Sequence, residues 1–270
     1  MAFGKVPVET LDALVARISD EAMIAVPPDY SFVAMAATRA LIRRGARDLH
    51  LLAVPQSGIQ ADMLIGAGCV AIMETAAVSL GEFGAAPQFT AAVKSGRVAI
   101  RDSTCPAIHA GLQASEKGVP FMPLRGLIGS DLMRVRDDWK ESENPFEQGD
   151  RIVMLPALKP DFALFHAPFA DRNGNIWIGR RRELVTMAHA AMDALVTVEG
   201  IRDIDIMADE ALAGGSLPAL YVTAIAEAPN GAWPLGIAGQ YDADAEHLAA
   251  YAKLAKSAEG FQDYLAEHGA

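Results

Sequence analysis

Short continuous apolar runs alternate along the first half of the chain with segments whose apolar residues recur three and four positions apart. Met23–Val26, Leu49–Val54, Cys69–Met73 and Arg97–Arg101 read as compact strands, and Ala76–Ser79 as strand-like. Between them, Thr10–Ile18, Phe32–Arg44, Met63–Gly68, Ala86–Lys94 and Ala107–Lys117 carry the helical period. Thr10 stands in cap position, Pro87 suits a first helical turn, and Gly45, Ser95-Gly96 and Gly118 are stop signals. Strand, loop and helix in repeated succession predict an α/β fold: an open, mostly parallel sheet with crossover helices. In such sheets ligands collect at the carboxyl ends of the strands.

The stretch Val119–Asp131 interrupts this regularity. Pro120 and Pro123 bracket an apolar step, and Arg125 then stands beside Gly126, Gly129 and Ser130, which predicts a buried strand running into a polar-lined turn. A guanidinium there can grip a carboxylate or phosphate with two prongs, or be held in a structural ion pair. Residues 131–150 are charged and aperiodic and read as a surface excursion within one domain spanning 1–270. Strands are expected again at Arg151–Leu155, Phe162–His166, Ile176–Ile178, Ala194–Val198 and Tyr221–Ile225. Asp171–Asn175 is a turn, Glu183–Met192 a helix, and two amphipathic helices, Asp244–Lys256 and Glu259–Glu267, close the chain.

Composition narrows the function classes. A net charge of -11 argues against binding along a nucleic-acid backbone. The two cysteines, Cys69 and Cys105, show no zinc spacing, so no metal is expected and a reducing compartment fits. No apolar stretch is long enough to span a membrane, and Met1–Lys5 lacks the pattern of a secretory leader; the expected location is cytoplasmic.

Few residues assemble into chemistry. Cys105 and His109 lie one helical turn apart, a spacing that serves a thiol nucleophile and equally an ordinary buried cysteine. His50 and His166 sit in apolar strands and read as core or strand-end histidines. Glu82 follows a strand where a loop would present a carboxylate to a cleft; buried there it would serve as a general acid or base, and exposed it would be a solvated loop residue. No complete catalytic set can be assembled, which reads as half of a site.

Several motifs, in order, carry a likeness: Asp62–Val70, Gly81-Glu82-Phe83-Gly84 with Pro87 and Phe89, Gly118–Gly126 with Gly129–Leu132, Asn144-Pro145-Phe146, Pro156–Asp161, Ala170-Asp171 with Gly174-Asn175, Ala228-Pro229 with Gly231-Ala232 and Pro234, and Tyr241-Asp242. Through them the chain resembles the A (alpha) subunits of the family I CoA-transferases, in the glutaconate CoA-transferase-like branch. The resemblance implies a CoA-transferase-type fold, no permanently bound cofactor, a coenzyme A thioester as substrate and, for a partner, a B (beta) subunit. It implies that CoA moves between small acyl or dicarboxylic acids. In this family a glutamate on the B half attacks the acyl-CoA thioester, giving an acyl-glutamyl anhydride and then an enzyme–CoA thioester. This chain would supply substrate contacts, with Arg125 and Ser130 as carboxylate partners and Tyr30, Gln56, Ser57 and Glu82 lining the cleft. A hydrolase or lyase, a decarboxylase of the same fold, and a non-catalytic ligand-binding protein are the alternatives. Two departures bear on these. Val26-Pro27-Pro28-Asp29-Tyr30 replaces the family's glycine-rich turn, and Cys105 stands where the ring-cleaving hydrolase branch carries an acid, with Asp102 nearby.

Overall fold

The computed structural model describes residues 6–269, so the reading of Met1–Lys5 lies outside the described residues. Its centre is an eight-stranded sheet. From one edge to the other the strands are Val8–Glu9, Ala224–Glu227, Asp193–Val198, Phe162–Ala167, Met23–Val26, Leu49–Ala53, Val70–Thr75 and Ala99–Asp102. Every neighbouring pair is parallel. Residues along each strand alternate between two cores: Ile24 and Val26 face one, Ala25 the other, and Leu51 and Leu52 divide the same way. Both faces are covered, which is why these strands read as unbroken apolar runs.

Helices Leu11–Ala16, Met35–Arg44, Ile59–Gly66 and Pro87–Ser95 contribute to one core, and Cys105–Glu116 and Arg182–Ala190 to the other. Their ends follow local chemistry. Thr10 and Thr104 accept hydrogen bonds from the amides of Ala13 and Ala107, Pro87 opens its helix, and Gly45 closes another at φ 72°. Helix Met35–Arg44 starts three residues later than its apolar period implies, because Phe32 takes a left-handed φ of 59°.

Two expectations need correcting. The strand Phe121–Leu124 is not buried in the main sheet. It is an exposed-to-half-buried edge of a separate antiparallel sheet, ordered Phe121–Leu124, Arg151–Pro156, Lys140–Glu143. Pro123 cannot donate to a ladder, so an edge is where such a strand can sit. Arg151–Leu155, expected as a strand, is one, and it is the middle strand of this sheet. The charged excursion is partly ordered, with a helical turn at Leu132–Val135, a strand at Lys140–Glu143, and Trp139 buried. Finally, the last sheet strand is Ala224–Glu227, and Ala219–Tyr221 forms a 3-10 turn before it.

Arg136 ties that excursion to the main sheet. Its side chain is 4% exposed and donates to Glu74 at 2.8 Å, to both oxygens of Asp138 at 2.9 Å and to the Asp102 carbonyl at 3.1 Å, and it lies over the Trp139 ring. Glu74, 1% exposed, also faces His50 at 3.2 Å and Arg101 at 3.4 Å. Burial alone would raise its pKa; the facing His50 ring and the charges of Arg136 and Arg101 outweigh that and hold it below the usual carboxylate value. A second buried acid, Asp62, joins three helices by accepting from Tyr251 at 2.6 Å and from the Phe89 amide at 2.7 Å. Here burial prevails over those hydrogen bonds, and the carboxyl is pushed up from 3.8 to about 6.

Glu74→Gln leaves Arg136 short of a buried counter-charge and should cost about 3 kcal/mol in denaturant unfolding, with faster proteolysis within 137–150. Asp62 predicts the opposite pH dependence to a salt-bridged acid. Its folded pKa lies above its unfolded value, so its stabilising contribution is complete below about pH 4 and is lost as pH rises through about 6. The stability advantage of the wild type over Asp62→Asn should therefore shrink by on the order of 2 kcal/mol between pH 4 and 7, read as the difference between two urea titrations.

Candidate functional site

Chain order across the sheet reverses between Met23–Val26 and Phe162–Ala167. Strands run outward from the first toward Ala99–Asp102 and from the second toward Ala224–Glu227, with the N-terminal strand Val8–Glu9 added at that edge, leaving a switch point between them. The loop after Met23–Val26 crosses this point. Its Phe32 carbonyl accepts from the His166 amide at 2.7 Å, its Ser31 hydroxyl donates to Glu183, and the Arg181 guanidinium lies 3.5 Å from the centre of the Phe32 ring.

Beside the switch point, loops from three successive strands enclose a cavity of about 290 Å³. Asp29 and Tyr30 follow the first strand, Gln56 and Ser57 the second, and Ser79 to Phe83 the third. A short parallel ladder, Gln56–Ser57 against Ala77–Val78, fixes the second and third loops to each other. Asp29 is fixed to the second through its Oδ2, which accepts from the Ile59 amide at 3.1 Å. Gly58 permits this approach, since a Cβ there would stand 2.0 Å from that same oxygen.

Four expected cleft residues, Tyr30, Gln56, Ser57 and Glu82, thus line one cavity. Tyr30 is exposed on its rim; partial burial of the phenol, then the charges of Glu183 and Cys105, push its pKa up, so it stays a hydroxyl donor at neutral pH. Ser57 is buried, and its Oγ has no hydrogen-bond partner among the described residues. Glu82 is exposed on the 3-10 turn Gly81–Phe83, so the burial that would fit it for acid/base work is missing. That burial falls on the carboxyl of Asp29, a half-buried residue that is not among the expected site residues. Burial and the nearby Asp62 charge outweigh its backbone hydrogen bonds and push it up to about 6. An acid just beyond a parallel strand was the available signal.

Arg125 and Ser130 stand elsewhere. Arg125 lines a separate, largely apolar groove of about 790 Å³ with Phe121, Phe146 and Met154, and its guanidinium fork is closed on Asp150 at 2.8 and 2.6 Å. That pairing, helped by Asn144, holds Asp150 down to about 2. The Ser130 hydroxyl donates to the Leu127 carbonyl at 2.7 Å, closing its own turn.

Cys105 is exposed at the start of its helix and His109 is half-buried with its pKa lowered by burial. Both ring nitrogens of His166 are engaged, by Thr197 and Glu199, each at 2.8 Å. No cluster of three metal-ligating side chains occurs among the described residues. Nor is any described helix long and apolar enough to cross a membrane.

The family model described as Coenzyme A transferase matches residues 8–228. The A subunit of the 3-oxoadipate CoA-transferase of Pseudomonas knackmussii is 30% identical over 93% of this chain and 89% of its own length. The A subunit of the glutaconate CoA-transferase of Acidaminococcus fermentans is 31% identical over 86% of this chain and 77% of its own. The crystal structure of glutaconate coenzyme A-transferase from that organism superposes with a TM-score of 0.88 at 27% identity, covering 97% of this chain and 88% of that one. A crystal structure of a variant of the decarboxylase AibA/AibB superposes with a TM-score of 0.84 at 32% identity, covering 97% of this chain and 100% of that one. The chain belongs to the coenzyme A transferase family, on its glutaconate CoA-transferase-like branch of A subunits.

Proposed function

We propose that the chain is the A subunit of a heteromeric, cytoplasmic CoA-transferase that moves CoA between small acyl or dicarboxylic acids. The observation that carries this reading is the incomplete crevice at the strand ends. It offers hydrogen-bonding groups from Tyr30, Gln56 and Ser57, but no hydrogen-bonded nucleophile and base face it among the described residues. A B subunit would close the crevice and bring the glutamate nucleophile. Its carboxylate attacks the thioester carbonyl and expels the CoA thiolate, leaving an acyl-glutamyl anhydride. The thiolate then attacks the glutamyl carbonyl, releasing the first acid and leaving a glutamyl–CoA thioester, and a second acid reverses the sequence. The Tyr30 hydroxyl and the Gln56 amide would orient the acid and donate to oxygen atoms that gain charge. Coenzyme A takes part as a substrate and leaves with product.

Arg125 and Ser130 enter this reading as structural residues, since the first already grips Asp150 and the second its own turn. A second reading is a decarboxylase of the same architecture, favoured by the likeness to AibA/AibB over nearly the whole chain.

CoA transfer should require the co-purified B partner, and borohydride should trap a CoA-dependent mass change on the B chain. Full transfer by the isolated A chain would overturn the proposal, and release of carbon dioxide without transfer would establish the second reading. In the same complex, Arg125→Met should leave the KM for the acid unchanged while exposing residues 144–150 to proteolysis.

A further inference from the structure

We propose that the cavity lined by Asp29 and Ser57 is an acyl-recognition subsite for a hydroxyl group, and that it discriminates against a second carboxylate. The inference rests on the transferase reading and names its substrate class: short monocarboxylic acids carrying a hydroxyl on the acyl chain.

Two atoms define the site. Ser57 is 3% exposed and lines the cavity, yet its Oγ finds no hydrogen-bond partner among the described residues. Asp29 lines the same cavity, and its Oδ1 is likewise sealed and without a partner, while its Oδ2 is committed to the Ile59 amide. Buried polar atoms left unpaired are costly, and two of them sit on residues of neighbouring loops that line one cavity. A hydroxyl has the chemistry to serve both, donating to a carboxylate oxygen and accepting from a serine. Position is fixed as well as chemistry. The absent Cβ at Gly58 lets the backbone press against the Asp29 carboxylate, and any side chain there would dislodge it.

Charge and size narrow the ligand further. The two ionisable carboxyl side chains at this cavity are Asp29 and Glu82, and no lysine or arginine is among the described residues that line it. A distal carboxylate would meet like charge with no cation to hold it. Arg125, the residue best shaped to grip one, is in the other groove and bound to Asp150. The remaining wall is apolar, with Leu80, Phe83, Leu235 and Leu248. At about 290 Å³ the cavity lies at the small end of ligand pockets, which suits a chain of a few carbons and excludes the bulk of coenzyme A.

The test compares four-carbon acids in the A/B complex: butanoate, the 2-, 3- and 4-hydroxybutanoates, and butanedioate. Each is measured twice, by calorimetric binding of the free acid and by kcat/KM for CoA transfer. The best hydroxybutanoate should exceed both butanoate and butanedioate by about tenfold in each measurement. Ser57→Ala and Asp29→Asn should each reduce that preference, and Asp29→Asn should also improve butanedioate relative to wild type. Ser57→Ala removes a single hydroxyl, so it remains informative if the Asp29 variant does not fold. Butanedioate equal to or better than the hydroxy acids in the wild type would overturn the inference, as would an undiminished hydroxyl preference in the folded variants. A complex that binds the hydroxy acid preferentially but transfers no CoA supports the subsite and removes the transferase reading alone.

Discussion

Parallel pairing throughout the eight-stranded sheet obliges each strand to be followed by a crossover before the next can begin. The carboxyl ends therefore share one edge, and loops from Met23–Val26, Leu49–Ala53 and Val70–Thr75 meet there although their residues lie far apart in the chain. Asp29, Ser57 and Glu82 need no special sequence relation to share a cavity. Adjacent strands place them side by side, and a two-residue ladder with a single side-chain-to-amide bond then sets their spacing. The sheet in turn rests on the two apolar layers that cover it, so the site inherits the rigidity of the cores.

Peripheral pieces are attached by buried charge, and the two main attachments behave differently. Glu74 has several positively disposed neighbours and stays ionised, so the sheet edge holds the excursion through a true ion pair with Arg136. Asp62 has neutral donors only, and its charge is disfavoured by burial. Replacing either by an apolar residue would strand its partners, but the first strands a charge and the second strands a phenol and an amide, which is the smaller loss.

Much of the fold was legible because it follows from short-range rules. Met23–Val26 and Leu49–Ala53 are apolar on both faces since helices cover both, and Thr10, Pro87 and Gly45 act on their own helices. Phe121–Leu124 was misplaced because an apolar run bracketed by prolines does not say which sheet it joins, and its partner Arg151–Pro156 lies across the excursion. Arg125 shows the same limit for the site. Its fork and its turn are visible in sequence, but its partner Asp150 is fixed by the antiparallel sheet and not by any local pattern. Tyr30, Gln56, Ser57 and Glu82 share a cavity because each follows a parallel strand, whereas the buried state of Asp29 depends on Gly58 and Ile59 from another loop.

The turn that departs from the family's glycine-rich pattern has a physical consequence beyond bulk. Pro27 and Pro28 fix their own φ angles, and both are buried, so the segment leading to Asp29 has few conformations to lose on folding. The Pro28 carbonyl then accepts from the Ser31 amide at 2.8 Å, and Phe32 is held in its left-handed conformation between the His166 amide and the Arg181 guanidinium. Backbone strain at Phe32 persists because both neighbours determine it. A glycine-rich turn would approach a ligand more closely and order itself on binding. Under the proposed reading, a stiff turn forgoes that approach and would present a carboxyl already in position, so the ordering cost would fall on folding and discrimination on the chemistry of one fixed oxygen.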